Sequence, residues 1–295
     1  MKLTTILKNA SRAALQWRLL LIWLGAVLLP MLLMALPVWN TLSASLDRSV
    51  HAAALAEQLD LVTLADLMAE VRRNGAAIHG GGIAALVFTL LLSPFLTGVA
   101  VTAARAHDTA RFRELFAGGV AEYPRMFRML VWGVVLLAAA GAIGGQLIEL
   151  ADKHGEQAIL QSDAHLWKHA AALVLALLLA LVHATLDAGR AELAIDRRRT
   201  SAVKAWWRGV KLLWQNPATV LGIYLGVSMV GLLAVALLAV LRVSIPGSNT
   251  GLLIVAFLVT QLIALVLAWM RATRLFALMT VSAADNAMQH SQIVH

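Results

Sequence analysis

Histidine 183 and aspartate 187 stand four residues apart in HATLDAGR, one turn apart on one face of any helix that contains them. An imidazole beside a carboxylate is the pairing a proton relay uses, and equally one a structural hydrogen bond uses. Both readings stay open. Arg271 lies in another apolar run, at a position that would let it pair with Asp187. Ionisable groups inside such runs are costly unless paired and often mark pathways. Gln261 is the fourth intramembrane polar candidate.

Three other groupings carry weaker chemistry. His79-Gly80-Gly81-Gly82 matches the oxyanion loop of lipases and esterases, but the chain has no G-x-S-x-G nucleophile elbow. A glycine hinge that breaks the helix there is the expectation. Glu149, Asp152, His154, Glu156, Asp163, His165 and His169 crowd one polar segment, and His165 with His169 has the i, i+4 spacing of a zinc pair. It lacks H-E-x-x-H, so a solvated loop is expected, with no metal and no cofactor assigned. Ser93-Pro94 interrupts an apolar run where proline removes a backbone donor, which predicts a kink.

The elements that must position these groups are helices in lipid. Of the 295 residues 60% are hydrophobic and 14% charged, against roughly 25% charged in soluble proteins. Six apolar runs are long enough for a hydrocarbon core that takes about 20 residues to cross. They are Leu19 to Trp39, Ile83 to Ala104, Met129 to Glu149, Ala170 to Asp187, Ala218 to Leu241 and Leu252 to Phe276. The first is longer than a signal peptide's apolar core and reads as a retained span. Cysteine is absent, which excludes disulfides and thiolate metal sites.

With both termini on one side, that side carries 18 of the 24 Lys and Arg residues and the other carries 6. The positive-inside rule then places both termini in the cytoplasm, as for a bacterial inner-membrane protein. The net charge of +8 follows from insertion and from anionic headgroups, and it assigns no nucleic-acid partner.

Between the spans the chain is expected to lie on the membrane. Residues 1–18 place Leu3, Ile6, Leu7, Ala10, Ala14 and Trp17 at helical spacing with cations elsewhere on the wheel. The segment from Arg105 to Arg128 reads as a second interfacial helix, interrupted at Gly118-Gly119. The outer loop 40–82 holds a short helix opened by Thr63 and Asp66, with Leu64, Leu67, Met68 and Val71 on its apolar side. Gly141, Gly144 and Gly145, and Gly222-x-x-x-Gly226, allow close helix approach. Residues 277–295 form a C-terminal tail.

The ends of the even-numbered spans read Thr102-Ala103-Ala104-Arg105, Asp187-Ala188-Gly189-Arg190 and Arg271-Ala272-Thr273-Arg274, at intervals of 85 and 84 residues. Each arginine closes a helix where a cation favours the C-terminus and reaches lipid phosphates. Three consecutive units follow, over about 1–104, 105–189 and 190–276, each an interfacial helix plus a two-helix hairpin. The fold class is thus all-α, a polytopic membrane protein of six spans in three hairpins.

From Ser201 to Gln215, Lys204, Arg208 and Lys211 share one side of a helix, while Trp207, Val210 and Trp214 share another, widened by Trp206 and Leu213. The pattern beds indoles among headgroups and turns cations to phosphates. Arg105, Arg190, Arg274, Lys204, Trp207, Arg208, Lys211 and Trp214 are therefore the expected headgroup-binding residues.

A span ending in Asp187 and Arg190, an acidic-basic turn, Ser201-Ala202-x-x-Ala205 and an aromatic-basic helix closing in Asn216-Pro217 resemble a broad group of bacterial six-helix inner-membrane proteins. The group includes the membrane domain of some glycerophosphoryl diester phosphodiesterases. The resemblance implies a six-helix fold and no catalytic residue, and the phosphodiesterase domain itself is absent. Three functions are weighed. The leading one is a non-enzymatic scaffold or accessory subunit of an envelope or lipid-handling assembly, partnered by anionic lipids and by proteins of such a complex. A small permease would use a path along His183, Asp187, Arg271, Gln261 and Ser93-Pro94. An intramembrane lipid-modifying enzyme would use the outer His/Asp/Glu cluster.

Overall fold

A computed structural model of the chain describes residues 2–46, 65, 68–69, 72–106, 109–156, 161–246 and 249–293. The described residues form eight helices and no strand. They are α1 Leu3–Ala14, α2 Trp17–Leu46, α3 Gly75–Arg105, α4 Phe112–Glu156, α5 Gln161–Ile195, α6 Ala202–Gln215, α7 Pro217–Ser244 and α8 Thr250–Ile293. Helices α2, α3, α4, α5, α7 and α8 are long and apolar enough to cross a membrane, which makes the chain a multi-pass membrane protein. The expected helix at Thr63 to Val71 falls largely outside the described residues.

Local chemistry sets the helix starts. Ser201 accepts a hydrogen bond from the Lys204 amide at α6, Asn249 Oδ1 accepts from the Leu252 amide at 2.8 Å at α8, and Glu114 reaches back to the Arg111 amide at 2.8 Å at α4. Pro217 opens α7 at the first helical position, where its missing N–H costs nothing.

Glycine pairs expected to interrupt helices do not. Helix α3 runs through Gly80-Gly81-Gly82 and Pro94, and α4 runs through Gly118-Gly119 and Pro124 into the third span without a break. Each glycine costs a helix about 1 kcal/mol. The close contacts it permits offset that cost. A Cβ on Gly81 would stand 2.7 Å from Pro37 Cγ of α2, and one on Gly119 would stand 2.7 Å from the Phe95 ring of α3. Gly226, by contrast, faces open space, and Gly222 meets Leu3 of α1 rather than another span, so Gly222-x-x-x-Gly226 joins no two spans. The expected C-terminal tail is also helix. Helix α8 continues past Phe276 to Ile293 and buries Ala277, Leu278 and Ser282.

Helix α2 packs on α3, α3 on α4, α4 on α5, α5 on α6 and α7 on α8, while α8 also contacts α1, α2 and α5. Burial concentrates at one end of the bundle, the end that carries α1, α6 and most arginines, called the basic end below. There Leu19, Val99, Leu115, Met129, Leu193, Val220, Ile223 and Leu278 are fully enclosed. Toward the far end the spans expose leucine, valine and isoleucine, as at Leu32 and Leu36 of α2, Leu86 of α3, Leu177 of α5 and Leu237 of α7. Lipid supplies the apolar surroundings that such faces need.

Candidate functional site

A cavity of about 100 Å³ lies at the inner margin of the basic-end core, between α2, α3, α5 and α8. Its walls carry Trp23, Ser93, Thr97, His183, Asp187, Arg190, Arg271 and Arg274. Sequence reasoning singled out His183, Asp187 and Arg271, and the fold brings all three together with Ser93. Gln261 is buried ten residues before Arg271 on α8, about 15 Å along the axis, and does not line the cavity.

Asp187 is the electrostatic centre. It is buried on α5 a little over two turns before the helix ends at Ile195, and its Oδ1 accepts from Arg190 Nη1 at 2.6 Å. Its Oδ2 lies 3.4 Å from Arg274 Nε, within ion-pair range but without a hydrogen bond. Arg274 Nη1 donates to Ser228 Oγ of α7 at 3.0 Å, and its guanidinium sits 4.9 Å from the centre of the Tyr224 ring. The expected Asp187–Arg271 ion pair does not form. Arg274 takes that place because it lies almost one turn further on, facing α5 and α7, while Arg271 turns toward α2 and stacks 5.9 Å over Trp23. Among the described residues Arg271 has no carboxylate within ion-pair distance.

His183 is also not bonded to Asp187. Its Nδ1 faces the Leu179 carbonyl at 3.1 Å, and because a carbonyl only accepts, that nitrogen carries the proton. The imidazole is exposed at the mouth of the cavity. Three guanidinium groups thus face one carboxylate, leaving two positive charges unbalanced. The arrangement can hold an anion.

A second polar cluster lies deeper in the basic end, and most of it escaped sequence reasoning. Glu122 of α4, 6% exposed, receives Arg105 Nη1 of α3 at 2.6 Å on one oxygen and Arg125 Nη1 on the other. Arg105 Nε also donates to the Ala194 carbonyl at 2.8 Å, and Arg125 donates to the carbonyls of Leu193, Asp196 and Arg199. Two cations therefore cap the last turn of α5, where orphan carbonyls and the negative end of the helix dipole favour them. Buried Glu192 accepts from Arg199 and from Ser282 of α8. A signal for Glu122 existed: it stands seven residues after Leu115, four before Met126 and seven before Met129, on the buried stripe of α4. Asp196, in the turn that follows, is held below the usual carboxylate range by the Arg198 amide and by Arg199.

The expected headgroup residues divide. Arg105 is committed to Glu122 and Ala194, and Arg190 and Arg274 belong to the cavity. Lys204, Trp207, Arg208, Lys211 and Trp214 of α6 all remain exposed, with Trp214 at 86%. The helix rests on the bundle through a face of small residues, Ala202, Ala205 and Gly209, with Leu212. Trp206 turns inward instead of joining the outer stripe, donating to Thr185 Oγ1 at 3.2 Å and meeting Trp132 edge to face at 5.6 Å.

At the far end the His/Asp/Glu residues disperse into lysine pairs. Glu149 accepts from Lys153 at 2.8 Å, and Asp152 pairs with Lys168 at 2.9 Å. His154 Nδ1 faces the Leu150 carbonyl at 3.0 Å. The side chains of Glu156, Asp163 and His165 lie outside the described residues. Among the described residues no three His, Asp or Glu gather closely enough to hold a metal ion.

No protein-family model, curated protein or solved structure matches the chain.

Proposed function

We propose that the chain is a non-enzymatic inner-membrane protein of a bacterial cell, a scaffold or accessory subunit of an envelope or lipid-handling assembly. Both termini and α6 lie on the cytoplasmic side, and anionic headgroups are the partner of that face. The observation that carries this reading is the division of α6 into a buried small-residue face and exposed Lys204, Trp207, Arg208, Lys211 and Trp214. Indoles and cations left outside a packed helix suit the headgroup layer, where each cation contributes about 1 kcal/mol against an anionic surface. Three hairpin units, α2 with α3, α4 with α5 and α7 with α8, each entered through an interfacial segment, are part of the proposal; their partners pack together, as do α3 and α4 across the boundary between the first two units. Kinship with the six-helix membrane domains is part of the proposal, on the Asp187 to Pro217 pattern alone, and brings no activity with it.

The test uses the cysteine-free chain. Thr200→Cys should react with a membrane-impermeant maleimide only in inverted vesicles, and Ser244→Cys only in right-side-out ones; the reverse pattern overturns the orientation. In reconstituted bilayers, brominated phosphatidylglycerol should quench the fluorescence that Trp207→Phe/Trp214→Phe removes more than brominated phosphatidylcholine does. Equal quenching by the two lipids overturns the anionic partner.

A second reading, a small anion permease, is favoured by the meeting of Ser93, His183, Asp187 and Arg271 in one cavity. Phosphate or chloride flux into proteoliposomes, lost in Arg271→Gln, would replace the scaffold reading with that one.

A further inference from the structure

We infer that the arginine cavity is the headgroup site for a single anionic phospholipid, whose phosphate lies among Arg190, Arg271 and Arg274. The inference rests on the membrane reading above and adds a specific site to it, distinct from the α6 surface.

Charge is the first argument. Asp187 balances one of three guanidinium groups, and Arg274, 9% exposed, has its Nε without a hydrogen bond. Arg274 is buried, Arg190 half-buried and Arg271 exposed at the cavity, and like charges held so close together draw an anion between them. Guanidinium groups bind phosphate oxygens through paired, charge-assisted N–H donors. Ser93 on α3 places a hydroxyl on the opposite wall, beside Thr97, whose own hydroxyl donates to the Ser93 carbonyl at 2.8 Å. The cavity of about 100 Å³ also suits the group, since one water needs only about 10–15 Å³.

Depth is the second argument. From Leu252, where the sixth apolar run begins, Arg271 lies roughly 19 residues on, about 28 Å along α8 and near the full thickness of a hydrocarbon core. The guanidinium groups therefore sit at the headgroup border of the leaflet on the basic side. A phosphate dissolved in water has no need of that depth; a lipid phosphate is already there.

The third argument is what borders the cavity toward the bilayer midplane. On the helix faces that line it, exposed apolar residues stand one or more turns deeper, Leu90 and Leu86 before Ser93, Leu173 before Asp187, and Leu267 and Phe257 before Arg271, and the one hydroxyl among them, Thr89, donates to the Ala85 carbonyl of its own helix. A cationic floor continued by open apolar walls has the polarity profile of a phospholipid with its acyl chains pointing to the midplane. His183 at the mouth, with its proton on Nδ1 toward Leu179, leaves Nε2 as an acceptor for a headgroup hydroxyl and not for the phosphate.

The carboxylate gives the inference a sign that a purely structural role for the cluster would not share. Asp187 repels an incoming phosphate while holding Arg190 and Arg274 in place. Its neutral amide isostere keeps the shape and removes the repulsion.

The experiment is native mass spectrometry of the full chain in neutral detergent, titrated with phosphatidylglycerol, with phosphatidylcholine and with inorganic phosphate, alongside the thermal midpoint of each variant. One phosphatidylglycerol should be retained per chain in preference to phosphatidylcholine. Arg271→Gln should weaken it by about tenfold, the loss of one charge-assisted contact, with the midpoint falling far less than in Arg274→Gln. Asp187→Asn should bind the lipid at least as tightly as the wild type. Lys204→Gln/Arg208→Gln/Lys211→Gln should leave the retained lipid in place. Equal retention of phosphatidylcholine, unchanged affinity in Arg271→Gln, or weaker binding in Asp187→Asn overturns the site. Displacement of the lipid by millimolar inorganic phosphate overturns the lipid and makes the cavity a soluble-anion site. If only the triple α6 variant loses its lipid, the cavity inference fails while the proposed function stands.

Discussion

Gly209 of α6 lies directly against Gly189 of α5: a Cβ added to Gly209 would stand 2.5 Å from the Gly189 amide nitrogen, and one added to Gly189 would stand 2.9 Å from Trp206 Cα. The two helices meet backbone to backbone there. Gly189 sits between Asp187 and Arg190, so this crossing holds the polar end of α5 beneath the tryptophan helix.

Gly209→Ala should therefore destabilise the chain by about 1–3 kcal/mol, the usual cost of forcing atoms into a filled contact, because the obstacle is backbone and cannot rotate away. Gly226→Ala is the control. Nothing lies within 4 Å of its Cβ position, and alanine favours a helix over glycine by about 1 kcal/mol. Thermal midpoints in detergent should fall for the first variant and hold or rise for the second.

Glu122→Gln should be among the most damaging single substitutions. It leaves Arg105 and Arg125 with carbonyls but no counter-charge in a buried site, and breaking such a cluster on one side costs about 3–5 kcal/mol. Glu149→Gln removes an ion pair of the same formal kind at an exposed position, 66% open to its surroundings, and should leave the midpoint unchanged. A Glu122→Gln protein as stable as the wild type would show that the carbonyl contacts alone hold the cluster.

The six spans were legible because their apolar length leaves no other fold for the chain. His183, Asp187 and Arg271 were legible as a group because charge inside an apolar run stands out against its surroundings. Their partners were not, since which arginine of α8 reaches Asp187 depends on the rotation of that helix, and Arg271 and Arg274 differ by about 60° around it. Gly80 to Gly82 and Gly118-Gly119 misled for a related reason. Local propensity counts the cost of each glycine in a helix, while the compensating contacts with Pro37 and Phe95 come from segments far away in the chain. Residues 277–293 lack a long apolar run, yet Ala277, Leu278 and Ser282 fall on one buried side once α1, α5 and α8 are assembled.

That buried side predicts a role for the end of α8. Ser282, fully enclosed, donates to Glu192, which Arg199 also holds. Ser282→Ala should cost about 1.5–3 kcal/mol, the range for a hydrogen bond to a charged group. A chain ended after Met279 should lose at least as much. Equal midpoints for the shortened and full chains would show that the last turns of α8 carry no packing energy.

The two arginines of α8 should separate stability from binding. Arg274 is buried against Asp187, Ser228 and Tyr224, so Arg274→Gln removes an ion pair, a hydrogen bond and a cation–π contact together, and a cost of about 3–5 kcal/mol is expected from a broken buried pair. Arg271 makes only its stacking contact over Trp23 among these, and such contacts at open positions are worth about 0.5–1 kcal/mol. The thermal midpoint should thus fall far more in Arg274→Gln than in Arg271→Gln, while both lose retained phosphatidylglycerol. Unfolding scans read one effect and native mass spectrometry the other. If Arg271→Gln lowered the midpoint as much as Arg274→Gln, Arg271 would be a structural partner of Asp187 after all, and the unbalanced charge that draws an anion into the cavity would not exist.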